Sequence, residues 1–380
     1  MHLKKFKNYY FLAIIIFLAS FRGAEASTEA LTYSVPNYIA LIQQLSSYII
    51  IMIMIISILI NYSDKFIFKK YYKDAIYYFF FFVILILSGD TNIQEISIRV
   101  LFSLITLLYF IRVVSRMELK YAFLFFSLAS FFFTLTNFLA YFLLPNTIWN
   151  GRLFGVTNHP NFVGIAGTVS GVFAFFYIVN FPTLKVKLIY FLVLLVSIFV
   201  CVFSGSRNAI FSLFIAMIVG LFLKIKSFEI KVILGLVSLL FVLYLLNVEF
   251  SINTLDYEKR GNTRAETWKI MINDVLEFPL FGKGKVGVTA NSYLFAIVSS
   301  GLLGFYFLMT CVIRFLFRLN LKTSKLNIYY PLFCMLTFSL LFAAIFEGFL
   351  LDQIGVSVFA FWLIIVLPLK DQVNEKTIVF

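Results

Sequence analysis

Apolar runs of roughly 16–26 residues recur from one end of this chain to the other, separated by short charged links. About 20 apolar residues in a helix cross the ~30 Å of a bilayer's hydrocarbon. A chain built from such runs must satisfy its backbone polar groups internally, which helices do. The composition agrees: 62% of residues are hydrophobic and 13% are charged, outside the range of a soluble globular protein. The expected fold is therefore an all-α polytopic membrane protein, a single integral membrane domain over residues 1–380. Spans are expected at 9–19, 38–60, 75–89, 97–114, 119–144, 162–179, 186–203, 208–223, 230–248, 291–313, 328–346 and 349–367, about 12 transmembrane helices.

The first run, Tyr9–Ala19, follows Lys4, Lys5 and Lys7 and precedes Ala24-Glu25-Ala26. Signal peptides and first transmembrane helices share that pattern. A polytopic protein needs no cleavage to insert, so a retained helix is the expectation. Cys201, Cys311 and Cys334 lie inside apolar runs at wide spacing, with neither a metal motif nor a disulfide framework.

The links alternate in charge. Lys65, Lys69, Lys70 and Lys73 follow the second span; Arg112, Arg116 and Lys120 follow the fourth. Lys185 and Lys187, then Lys224, Lys226 and Lys231, then Arg314, Arg318, Lys322 and Lys325 follow the sixth, eighth and tenth. The positive-inside rule makes these links cytoplasmic. The whole net charge of +13 then falls on that side. It reports topology and gives no ground for a nucleic-acid partner. Both termini are expected inside, and residues 249–290 outside, as a large loop between the ninth and tenth spans.

That loop is the one long polar segment, and long loops are usually functional. Thr263 with Glu266 forms a capping-box pattern and Pro279 supplies a stop, so the spacing predicts a helix in the loop. Arg264, Trp268, Ile272 and Val275 fall on one face of it. Arg264 stands in the first turn, where free N–H groups favour an anion. The plainer reading is a surface helix with a solvated arginine.

Arg152 and Arg207 are also outside, against the charge bias. Arg207 stands in Ser204-Gly205-Ser206-Arg207-Asn208, a short turn between two apolar spans. An arginine at that depth marks a functional site or snorkels to headgroup phosphates. Arg152 is followed by Asn158-His159-Pro160-Asn161, and His159 reads as a loop histidine or a base. Gly282-Lys283-Gly284-Lys285-Val286-Gly287 matches G-x-G-x-x-G without the strand that a dinucleotide site requires; its glycines and lysines suit an anion. No Asp-x-Asp pair, zinc motif, Walker A motif or nucleophile elbow occurs.

Together these stretches resemble the O-antigen ligase/polymerase superfamily. The residues that carry the resemblance run from about 150 to 305. They are Arg152-Leu153-Phe154-Gly155 with Asn158-His159-Pro160-Asn161, Ser206-Arg207-Asn208-Ala209, Arg264 with Trp268, Pro279-Leu280-Phe281-Gly282-Lys283-Gly284, Asn291-Ser292-Tyr293-Leu294, and Gly301-Leu302-Leu303-Gly304. The resemblance implies a C-type glycosyltransferase-like fold with a helical periplasmic loop over the site. It implies a multi-pass protein of the bacterial inner membrane with its active site on the periplasmic face. The implied chemistry is metal-independent, inverting transfer of a glycan from undecaprenyl diphosphate, without a cofactor. A guanidinium fork suits the leaving diphosphate. Arg152, Arg207 and Arg264 match the family's arginine positions and are expected to bind it. Asn161, Trp268, Asn291 and Tyr293 are expected to touch substrate, and membrane lipids to surround the site.

Ligases of this family carry a histidine just before the Asn of the Asn-x-Tyr-Leu motif. Here that position is Ala290. The departure favours a polymerase, with His159, Glu347 or Asp352 as the base or with none, over a ligase acting on lipid A-core. A chain-length regulator and a flippase of the same pathway are expected partners. The reading from a different class is a lipid-linked oligosaccharide flippase or transporter, which would place charges within its spans.

Overall fold

A computed structural model describes residues 2–21, 37–62, 69–70, 72–89, 92–144, 147–149, 151–157, 159–247, 263–284, 291–321, 327–348, 350 and 353–367. Ala290, Asp352 and the side chain of Arg264 lie outside the described part. The chain runs through α1 (His2–Ser20), α2 (Asn37–Ile60), α3 (Tyr72–Gly89), α4 (Ile93–Arg112) and α5 (Leu119–Leu143). A small antiparallel pair follows, β1 (Ile148–Trp149) with β2 (Arg152–Leu153). Then come α6 (Pro160–Asn180), α7 (Leu184–Phe203), α8 (Arg207–Lys224) and α9 (Phe228–Asn247). The helix expected in the polar loop is α10 (Thr263–Glu277), and α11 (Ser292–Leu319), α12 (Tyr330–Phe346) and α13 (Val356–Val366) complete the order. Among the described residues, eight helices are long and apolar enough to cross a membrane: α2 to α8 and α11. The protein is an all-α polytopic membrane protein.

Helix α6 is the centre of the bundle. Its apolar window is 83% buried, against 22% for α2 and 28% for α7. Small residues make that possible. A Cβ at Gly164 would lie 2.7 Å from Ser204 Oγ and 2.8 Å from Ala209 Cβ, and one at Gly171 would lie 2.8 Å from a Leu213 methyl. Gly164, Gly167 and Gly171 thus let α7 and α8 close on α6, the usual way helices associate where lipid offers no hydrophobic contrast. Helix α1 packs on α5 with Leu12, Ile15, Ile16 and Ala19 fully buried. Its Tyr9 hydroxyl accepts from the Glu118 N–H at 3.0 Å.

Two expected spans differ from simple rods. The last, 349–367, is α-helical among its described residues only over α13, whose eleven residues are about 16 Å long. Every residue of α13 is buried. The chain before it is extended at Gly355, and the main chain of Leu350 is satisfied from elsewhere. Its N–H donates to Ser292 Oγ at 3.4 Å and its carbonyl accepts from the Tyr78 hydroxyl at 3.0 Å. Non-helical backbone survives at membrane depth only where protein encloses it, and hydropathy cannot reveal that.

The second is α11, which breaks at Gly301 (φ 64, ψ −167). The turn after α10 fills the break. Leu302 N–H donates to the Pro279 carbonyl at 2.9 Å. Lys283 and Gly284 N–H groups donate to the carbonyls of Val298 and Ser299 at 2.7 and 3.2 Å. A Cβ at Gly301 would stand 2.2 Å from the Leu280 carbonyl oxygen. The glycine pattern at 282–284 therefore serves a main-chain approach to α11, and the side chain of Lys283 pairs with Asp274 at 2.6 Å.

Candidate active site

The two ends of the bundle carry different chemistry. At one end, basic side chains close helix termini and helix pairs. Arg314 and Arg318 hold Asp74 of α3 at 2.9 and 3.3 Å, and Arg318 also donates to the last carbonyls of α13. Lys224 donates to the Val179 carbonyl, and Arg112 to those of Asn61 and Tyr62.

At the other end meet the C-termini of α5, α7 and α12 and the N-termini of α6, α8 and α11. Here Arg152 projects from β2. Its Nε donates to the Ser204 carbonyl at the end of α7 at 3.0 Å. An Nη donates to Asn161 Oδ1 at 2.6 Å. The Asn161 amide then donates to Glu347 Oε1 at 2.7 Å, and Ser292 Oγ donates to the Glu347 carbonyl at 2.6 Å. One chain of bonds thus joins β2, α7, α6, α12 and α11. Its polarity is fixed, because a guanidinium only donates and an ionised carboxylate only accepts. Arg152 is only 9% exposed, so these bonds replace lost hydration and hold the fork in one orientation.

Local sequence explains the placement. Gly151 and Gly155 both have positive φ and fold the β1–β2 hairpin over the start of α6. Val156 N–H donates to Asn137 Oδ1 and its carbonyl accepts from Gln43, tying the hairpin to α5 and α2. Pro160 opens α6 and His159 caps it, its Nδ1 accepting the Asn161 N–H at 3.2 Å. The cap leaves Nδ1 engaged, so His159 orients Asn161 through its backbone. Arg207 is the first residue of α8 and is exposed; Ser206 caps that helix by accepting from the Ala209 N–H. Asn208 reaches across to the Ala343 carbonyl at 3.0 Å and binds α8 to α12.

Arg264 lies in the first turn of α10, as expected. Trp268 packs against Phe346, the residue before Glu347, with the ring centroids 6.1 Å apart and tilted by 30°, and its buried Nε1 has no hydrogen-bond partner among the described residues. Met271 seats α10 on Phe295 and Val298 of α11. Asn291 caps α11, accepting from the N–H groups of Tyr293 and Leu294. Tyr293 donates its hydroxyl to the Leu341 carbonyl at 3.1 Å. These two residues hold α11 in place at the same end.

Arg152, Asn161 and Glu347 are joined directly, and Arg207, Trp268, Asn291 and Tyr293 stand on elements bonded to or packed against them. Ser292 and the Ser204 carbonyl were not singled out by sequence reasoning. Ser292 stood inside a quoted motif, but nothing in the sequence marks a carbonyl as an arginine acceptor.

The fold and this end of the bundle define a class: a multi-pass helical membrane protein with arginines and a carboxylate gathered where helix ends converge. Residues 191–301 match the family model described as O-antigen ligase. That stretch, less than a third of the chain, supports a likeness to the O-antigen ligase/polymerase superfamily, whose members are glycosyltransferase-like enzymes. It takes in Arg207, α10 and α11 up to its break; Arg152, Asn161 and Glu347 lie outside it. Comparisons with curated proteins and with solved structures give no match.

Proposed function

We propose that this protein is a polymerase of O-antigen or a related surface polysaccharide. It moves a growing undecaprenyl-diphosphate-linked glycan onto a new lipid-linked repeat unit at the periplasmic face of the inner membrane. The observation that carries the reading is the bonded line from Arg152 through Asn161 to Glu347. It sets a cation for the departing diphosphate and a carboxylate for the acceptor within one framework. The acceptor hydroxyl oxygen attacks the anomeric carbon from the face opposite the diphosphate, so the configuration inverts. The bond from that carbon to the diphosphate oxygen breaks and its electron pair leaves with the lipid diphosphate. The hydroxyl proton passes to Glu347, which is better placed than His159 because the Nδ1 of His159 caps α6; Asp352, the third expected base, lies outside the described residues. Arg152, Arg207 and Arg264 neutralise the charge on the leaving group, where fixed donors are worth most. The half-buried Trp268 ring suits the face of an amphipathic sugar ring.

Ala290 separates this reading from a ligase, since alanine supplies no base where the ligases carry histidine. The separating experiment is to delete the gene and display the lipopolysaccharide on a gel. Loss of a polymerase leaves core carrying a single repeat. Bare core with accumulated lipid-linked glycan identifies a ligase and overturns the proposal.

A further inference from the structure

The turn that fills the break in α11 lies at membrane depth although it belongs to the polar loop. Leu302, which donates to Pro279, stands ten residues from the start of α11 and twelve from Arg314, about 15 and 18 Å along the helix. A hydrocarbon slab of about 30 Å whose far edge lies anywhere between Arg314 and Arg318 includes the level of Leu302. A second helix gives the same level. Gly284 rests against the Ser88 carbonyl at the end of α3, whose Asp74 meets Arg314 and Arg318 at the other end. Ser88 is fourteen residues, about 21 Å, above Asp74. At that height the turn presents Leu280 and Phe281, 61% and 74% exposed, beside the half-exposed Leu302 and Leu303 of α11. The exposed face of α10 is mixed, with Glu266, Lys269, Asn273 and Glu277 alongside Ile270 and Leu276.

We infer that Leu280 and Phe281, at the tip of the turn, form a lipid-facing wedge among the acyl chains of the leaflet at the amino-terminal end of α11, while Lys283 of the same turn is held by its ion pair with Asp274. The occupant follows from continuity. The surface of Leu302 and Leu303 belongs to a membrane-crossing helix, and the main chain of Pro279–Phe281 lies directly against it at Gly301 and Leu302. Part of the turn's backbone is satisfied within the protein: the N–H groups of Lys283 and Gly284 donate to Val298 and Ser299, and the Pro279 carbonyl accepts from Leu302. Two exposed large side chains just below the headgroups anchor a segment as an interfacial helix does. Helix α10 is thereby held from both sides, by Met271 on α11 and by the wedge in lipid.

The test is independent of activity. Single cysteines are placed at Leu280, Phe281 and Asn273 in the full-length protein. They are labelled with a nitroxide in phosphatidylcholine–phosphatidylglycerol vesicles; the buried native cysteines serve as the unlabelled control. Spin relaxation by oxygen, which enriches in acyl chains, is compared with relaxation by a water-soluble nickel chelate. Oxygen should win severalfold at 280 and 281, and the chelate should win severalfold at 273. Dominance of the chelate at 281 would place the turn in water. Exclusion of both reagents would show another protein chain over it. Either result overturns the inference while leaving the transferase reading intact.

Discussion

Asn161 joins a donor-only guanidinium to an acceptor-only carboxylate through the two ends of one amide. A serine or threonine hydroxyl also donates and accepts, but from a single atom, so it cannot span the two partners as the amide's separate oxygen and nitrogen do. Leucine of similar size would remove the bond to each of these charged groups, and such a bond contributes about 1.5–3 kcal/mol. Asn161→Leu should slow chain elongation about 10- to 150-fold if one bond is lost in the transition state. Asn161→Asp keeps the acceptor for Arg152 but sets a carboxylate beside Glu347, so it should recover little. The measurement is elongation by membranes from a deletion strain carrying each variant at matched expression; wild-type rates from Asn161→Leu would remove the network from the chemistry. Arg207 makes a separate case, because it leads α8 and is exposed at the same end. Arg207→Ala should remove roughly 2–4 kcal/mol of transition-state stabilisation, about 30- to 1000-fold in rate. Lysine keeps the charge without the planar fork and should restore only part of it. A normal polysaccharide ladder from Arg207→Ala would reduce the residue to a headgroup contact.

Among the elements, α11 and the turn that completes it form one unit in two pieces. Gly301 holds a φ that side chains rarely adopt, and a Cβ there would collide with the Leu280 carbonyl. Gly301→Ala should destabilise the protein by about 1–3 kcal/mol and loosen the turn, read as a lower thermal midpoint in detergent. Gly235 on α9 is the contrast, with nothing within 4 Å of its missing Cβ. Gly235→Ala should be neutral or slightly stabilising, since alanine exceeds glycine in a helix by about 1 kcal/mol. Equal losses from both substitutions would show that the break has no special role. The existence of α10 was legible, because Thr263, Glu266 and Pro279 are local signals that act within one turn. The break was not. Gly301 lies inside an unbroken apolar run, and what bends the chain there is a hydrogen-bond exchange with residues about 20 positions upstream. The shortness of α13 was hidden for the same reason: its lead-in is held by Tyr78 and Ser292, far away in sequence.

For the whole molecule, the expected sidedness rests on charge, and the structure sorts the same charges by end. Arg112, Lys224, Arg314 and Arg318 gather at one end, where helix carbonyls and Asp74 receive them. Arg152 and Arg207 stand at the other, with α10 beside them. That segregation was readable from the alternating links because each crossing reverses direction, whatever the packing between. How Arg152 meets Glu347 was not readable, since 195 positions separate them and only the bundle brings their helix ends together. If the positive-inside rule governs this chain, the Arg152 end faces the periplasm. A phosphatase reporter that folds only outside the cytoplasm should then be active when fused near Asp256 and inactive near Lys70. The pair is decisive because the two sites are assigned to opposite faces: activity only at Lys70 would invert the molecule and take the lipid-linked donor away from the arginines. Substituting the basic residues of the 61–74 and 314–327 links with glutamine should weaken the bias and leave a mixed population, reporter-active at both sites.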